Sequence, residues 1–193
     1  MRTFPVARAL AALAVIAAGV AILPGSLAGA SATTDDFPSA RATIKNASGT
    51  TLGTVVIQSI GNGKLAIAGQ LSGLTEGFHG FHIHAIGTCT PPDFVSAGGH
   101  LNPAGVSHGD HAGDMPSLLV SRDGRTRQVI ETDAVTLANI FDADGSAIVV
   151  HALPDNFANI PTRYSAGGVP GPDAATLATG DSGGRVACGV VTR

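Results

Sequence analysis

Thr51-Leu-Gly-Thr-Val-Val-Ile-Gln-Ser-Ile-Gly-Asn-Gly-Lys-Leu-Ala-Ile-Ala-Gly-Gln-Leu71 carries the reading that decides the fold. Two runs rich in β-branched and apolar residues, 51–60 and 64–71, flank Asn62-Gly63. Asn-Gly tolerates positive φ at both central positions, which a two-residue turn between antiparallel strands requires. The pattern recurs where 117–122 and 125–132 flank Asp123-Gly124. Residues 40–46, 78–85, 147–152 and 186–192 add four more short strands. With 26 glycines, 11 prolines and only 4% aromatic residues, the chain suits many turns better than a helical bundle. The expectation is an all-β sandwich or barrel. Two stretches, 86–116 and 153–185, are rich in Gly, Pro, Asp and Ser. Connections this long usually carry function.

The first 32 residues read as a signal peptide. Arg2 and Arg8 precede an apolar run from Ala9 to Leu23, and Ala30-Ser31-Ala32 supplies a small-residue cleavage site. The run is about 15 residues, short of the roughly 20 that span a bilayer. The arginines are not adjacent, so the signal is of the Sec type. The expected product is one domain, 33–193, secreted, periplasmic or associated with the cell wall, and free of the membrane once cleaved. Cleavage removes two arginines and no acid, leaving nine basic against fourteen acidic residues, a net charge of −5. Only Lys45 and Lys64 are lysines. Such a surface has no basic stripe for nucleic acid. Oligomeric state is not legible. Cys89 and Cys188 are the only cysteines, and an isolated pair in an exported protein reads as a disulfide.

All seven histidines lie beyond residue 78: His79, His82, His84, His100, His108, His111 and His151. His82 and His84 stand at i and i+2 of a predicted strand, so both face one side, with Ile83 on the other. Two imidazoles so placed can converge on one metal. His108-Gly-Asp-His111-Ala-Gly-Asp114 offers two imidazoles and a carboxylate, and Gly109 and Gly113 allow a tight loop around a centre. Zinc accepts such nitrogen and oxygen donors in a tetrahedron. His100 is the nearest candidate for a fourth donor. Asp110 competes with Asp114, but it adjoins a candidate ligand histidine, and Asp114 is preferred.

Four segments together resemble the copper/zinc superoxide dismutases: Gly73-Leu-Thr-Glu-Gly-Phe-His-Gly-Phe-His-Ile-His84, Ser96-Ala-Gly-Gly-His-Leu-Asn-Pro103, His108 to Asp114, and Gly184-Arg-Val-Ala-Cys-Gly-Val190. The likeness runs from about residue 40 to 192. It implies an eight-stranded antiparallel Greek-key β-barrel or sandwich with two long functional loops. It implies copper on His82, His84 and His151, zinc on His108, His111 and Asp114, and His100 shared by both. Asp155 resembles a carboxylate that bridges a copper ligand and a zinc ligand, and His79 a histidine that ties loops together without binding metal. The resemblance also pairs Cys89 with Cys188 and sets Arg185 beside the copper.

The activity implied is conversion of two superoxide anions and two protons to oxygen and hydrogen peroxide by Cu(II)/Cu(I) cycling. Arg185 would guide the anion, and His100 would act as general acid. The alternative is an extracytoplasmic copper-binding protein without dismutase activity. The chain departs from many relatives at two points. Only Gly109 and Asp110 separate His108 from His111, where relatives carry a longer insert. The second long loop contains Arg163 and Arg185 but no lysine.

Overall fold

The protein is described from a computed structural model that covers residues 39–193. The expected signal peptide, 1–32, lies outside the described residues. The chain forms β1 (Ser39–Asn46), β2 (Thr51–Gly61), β3 (Lys64–Ser72), β4 (Gly77–His84), β5 (Asp114–Val120), β6 (Arg125–Thr132), β7 (Ala147–His151), a small hairpin of β8 (Ser165–Ala166) and β9 (Val169–Pro170), and β10 (Arg185–Thr192). Two single-turn helices, α1 (Leu137–Ile140) and α2 (Thr176–Thr179), sit in connections. The Asn62-Gly63 turn is present, with φ of 52° and 74°. The second turn instead centres on Arg122-Asp123, where Gly124 N–H donates to Ser121 O at 2.8 Å and Gly124 follows at φ of 74°.

Eight strands form one antiparallel sheet in the order β5-β4-β7-β10-β1-β2-β3-β6. Strand β3 pairs with β6 rather than β4, and β4 pairs with β7. Connections that skip a neighbour in this way make a Greek key. The two ends of the order come together at the β5–β6 turn, where Ser121 N–H donates to Arg125 O at 2.9 Å. Gln128 Nε2 reaches Pro116 O at 3.3 Å across the same seam. The sheet is thus an almost closed barrel, as the all-β reading expects. Among the described residues, no helix is long and apolar enough to cross a membrane.

Alternation decides what goes inside. Ala40, Ala42 and Ile44 of β1 and Leu65, Ile67 and Leu71 of β3 point inward and join Phe81, Ile83, Ile148 and Val150 in the main core. Cross-strand partners share a face. His82 is opposite Val149, and His84 is opposite Ala147. Val149 is in turn opposite Cys188, and His151 is opposite Arg185. The outer face of β4 and β7 therefore carries three candidate ligands, with Cys188 and Arg185 beside them on β10. That face is not left to solvent. Phe94 and Ala97 of the first long loop pack on Ala147, Val149 and Cys188 in a second, smaller core.

Most strand ends differ from expectation by one to three residues, and two of the differences bear on the ligands. Strand β5 begins at Asp114, not at Ser117, because Asp114 pairs with His82. Strand β10 begins at Arg185, which the sequence reading leaves in the loop, because Arg185 pairs with His151. Cys89 and Cys188 form a disulfide. It fastens the first loop to β10 beside the second core. Replacing both cysteines with serine is expected to cost about 2–5 kcal/mol of unfolding free energy, read as a lower urea midpoint. An unchanged midpoint would mean that the loop packs fully without the covalent link.

Candidate metal centre

Two groups of ligand atoms converge above β4 and β7. In each group the donor atoms lie within 4.8 Å of one another: His82, His84, His100 and His151 in the first, and His100, His108, His111 and Asp114 in the second. His100 belongs to both. All six imidazoles are buried. Asp110 is in neither group and is exposed, whereas Asp114 stands with three imidazoles in the second group.

The hydrogen bonds fix which nitrogen each ring leaves free. His84 Nδ1 donates to Gly98 O at 2.9 Å, and His151 Nδ1 donates to Gly183 O at 3.0 Å. Their Nε2 atoms are left as lone pairs facing each other at 3.3 Å. His82 Nε2 donates to Asp155 Oδ2 at 2.7 Å, and His108 Nε2 donates to Asp155 Oδ1 at 2.8 Å. Both rings then offer Nδ1 to the centre. The buried atoms His82 Nδ1, His100 Nε2 and His108 Nδ1 have no hydrogen-bond partner. Lone pairs do not gather in a dry interior without a cation to receive them.

Spacing supports the same reading. Asp114 Oδ1 is 2.9 Å from His100 Nδ1, 3.2 Å from His108 Nδ1 and 3.3 Å from His111 Nδ1. His100 Nδ1 and His111 Nδ1 are 3.4 Å apart. A tetrahedral ion with bonds of about 2.0–2.1 Å sets its ligands about 3.3 Å apart. The short spacer is therefore no obstacle. Gly109, at φ of 96°, folds it tightly, and its N–H donates to Asp114 Oδ2 at 2.7 Å.

Burial holds His84 down at about 2, helped by the neighbouring His100 charge. It lowers His151 to about 3, and His100 to about 4 despite the bond to Asp114. Burial also lowers His108, but Asp114 and Asp155 more than offset it and leave that ring at about 9 while no ion holds its Nδ1, so a bound cation must displace that proton. Burial raises both carboxyls, yet the imidazoles bonded to them hold Asp114 and Asp155 well below the usual range.

Arg185 spends Nη1 on Phe94 O and Nη2 on Gly98 O, both at 2.6 Å. Gly98 O thus serves Arg185 and His84 together. His79 is buried and sets Nδ1 2.7 Å from His151 O and Nε2 2.9 Å from Thr75 O, so it ties the β4 entry to the β7 end. The sequence reading missed the main-chain acceptors Gly98, Gly183 and Phe94, since carbonyls leave no mark on residue type. It also missed Gly180 and Phe157. Phe157 stacks on His108 with ring centroids 6.5 Å apart. A Cβ on Gly180 would overlap Asp155 Oδ1 and His108 Nε2.

Gly180→Ala is expected to displace Asp155 and weaken metal binding at the His108 group by about 10–100-fold, measured by chelator competition. Equal affinity would mean that Asp155 does not orient His108. After chelator treatment, stability should also depend on pH. His84, His100 and His151 lie below their ordinary 6.5, so their contribution is present above pH 6.5 and lost as pH falls. His108 lies above it, so its contribution is present below pH 6.5 and lost as pH rises through about 9. The urea midpoint should peak near pH 6.5. A midpoint that climbs steadily toward acid would contradict these buried neutral rings.

Comparison with known proteins places this geometry. The pattern of the family described as copper/zinc superoxide dismutase (SODC) matches residues 51–191. A superoxide dismutase [Cu-Zn] of Mycolicibacterium paratuberculosis is 44% identical over 150 residues, 72% of this chain and 62% of that protein. One of Mycobacterium tuberculosis is 45% identical over 150 residues, 72% of this chain and 59% of that one. The chain thus spans about six-tenths of the length of these relatives. Superoxide dismutase [Cu-Zn] 2 of Brassica juncea is 36% identical over 154 residues, 77% of this chain and 93% of that protein. Among solved structures, a SOD-like protein from Bacillus subtilis has a TM-score of 0.64 at 31% identity and covers 78% of this chain and 96% of its own. A double mutant of that protein also has a TM-score of 0.64, at 34% identity, covering 78% and 95%. With a pattern running from β2 to β10 and relatives at this level of identity, the chain belongs to the copper/zinc superoxide dismutase family.

Proposed function

We propose that the protein is an exported superoxide dismutase that converts two superoxide anions and two protons into oxygen and hydrogen peroxide. The observation that carries this reading is the position of His100. Its Nδ1 lies in the three-imidazole, one-carboxylate group, and its unpartnered Nε2 lies among the other imidazoles. Mere metal storage does not require one ring to serve two centres. His82 Nδ1 and the Nε2 atoms of His84, His100 and His151 suit copper. The Nδ1 atoms of His100, His108 and His111 with Asp114 Oδ1 suit zinc. Copper supplies the one-electron couple that both half-reactions need, and zinc, which has none, supplies fixed charge.

The chain's own residues supply the rest. Arg185 has five N–H donors, two of which are committed to Phe94 O and Gly98 O. The remaining three can hold a small anion by charge-assisted bonds. Its guanidinium keeps its proton at working pH, so it cannot be the acid. His100 can carry a proton on Nε2 while Nδ1 stays engaged, and deliver it to the reduced anion. Asp155 keeps His82 and His108 in the tautomers that leave Nδ1 free. The disulfide supports export to an oxidising compartment, as does the signal-like 1–32 segment. The anionic surface supports neither nucleic acid nor anionic membrane as a partner.

The test is the dismutation rate per bound copper, measured on the mature, disulfide-intact protein and on Arg185→Ile. The expected wild-type rate lies within about tenfold below the ceiling of roughly 10⁸–10⁹ M⁻¹s⁻¹. Arg185→Ile should lose most of that rate and keep its copper. A negligible wild-type rate at full copper loading would refute the enzyme and leave a copper-handling role.

A further inference from the structure

A cavity of about 510 Å³ opens onto His84, His100 and His151. Its lining contains one permanent cation, Arg185, and one carboxylate, Asp181. The imidazoles are buried, whereas Asp181 is exposed, so the carboxylate stands at the outer end of the cavity. It is also held in place. Asp181 Oδ2 accepts from Asn156 Nδ2 at 2.6 Å and from Thr176 Oγ1 at 2.8 Å. Both donors are neutral, so the negative charge is pinned without being cancelled.

The surroundings do not correct this. Asp93 is a second carboxylate whose field Arg185 feels. The second long loop has no lysine, its other arginine, Arg163, lies over the Tyr164 ring and does not line the cavity, and the charge after residue 32 is −5. A small anion entering here meets a fixed like charge before it meets Arg185. Charges at a cleft mouth act on encounter rate and fade with ionic strength. Resident metals add positive charge at the buried end, which leaves the sign of the outer end to the side chains.

We infer that Asp181 is a rate-setting residue of the mouth, whose fixed carboxylate offsets Arg185 and slows capture of small anions. The inference rests on the dismutase reading for its physiological meaning. It assigns Asp181 to electrostatic gating, apart from the atoms that bind metal or move protons. The two bonds on a single oxygen make Asp181→Asn a clean change, since an amide oxygen can accept both.

The experiment compares fully metal-loaded wild type, Asp181→Asn and Thr176→Val at about 10 mM and about 1 M salt. Two quantities are read: dismutation rate per copper, and affinity for azide followed in the visible spectrum. Asp181→Asn is expected to raise both by about two- to fivefold at low salt, and the gain should vanish at high salt. Thr176→Val keeps the charge and loosens its clamp, so it should raise neither. An unchanged rate and azide affinity in Asp181→Asn would overturn the inference. An equal rise in Thr176→Val would also overturn it, because loop loosening would then be the cause. If no variant dismutates superoxide, the functional reading fails separately, and azide affinity still decides the charge effect.

Discussion

Asp155 has both carboxylate oxygens engaged by imidazole N–H groups, Oδ2 by His82 and Oδ1 by His108, with no side-chain exposure on any partner. A buried charge is tolerated only when its lone pairs are filled this way. The arrangement does more than neutralise a cost. It selects the tautomer of one ring from each ligand group and so aims both Nδ1 atoms inward. Through His82 it also pins the second long loop to β4, beside the separate main-chain bond from Gly80 N–H to Leu153 O at 2.8 Å. Remove that carboxylate and two rings lose their orientation at once.

The first long loop is placed by different means. Main-chain bonds link it to the barrel: Ala85 N–H to Gly99 O, Leu101 N–H to Ile83 O, and Ile83 N–H to Gly113 O, all at 2.8–2.9 Å. Gly113 must lack a Cβ there, because one would overlap Ile83 O. These bonds carry His100 to the side of His84, with which it forms an isolated bridge. Steric closeness at one glycine thus decides where the shared imidazole stands.

Much of this was legible in the sequence. Strand pairs show as alternation around Asn62-Gly63 and Asp123-Gly124, because turn chemistry and side-chain period are local properties. The histidine pair on β4 and the His108–Asp114 cluster show as motifs, because metal donors are few in kind. What stayed hidden depends on distant contacts. Nothing local marks Gly98 O as the shared acceptor of His84 and Arg185, or Gly180 as a position where a methyl would strike Asp155. The starts of β5 and β10 were also missed. Asp114 and Arg185 are charged residues at strand ends, and only their partners His82 and His151 make them part of the ladder.

The small core of Phe94, Ala97, Ala147, Val149 and Cys188 gives the first loop an apolar floor of its own. A loop seated this way loses its conformational freedom when the barrel folds, and not when an ion arrives. The ordering entropy of these residues is therefore charged to folding. What an arriving ion then has to order is the gathering of the imidazole lone pairs, and not the placement of Phe94 and Ala97.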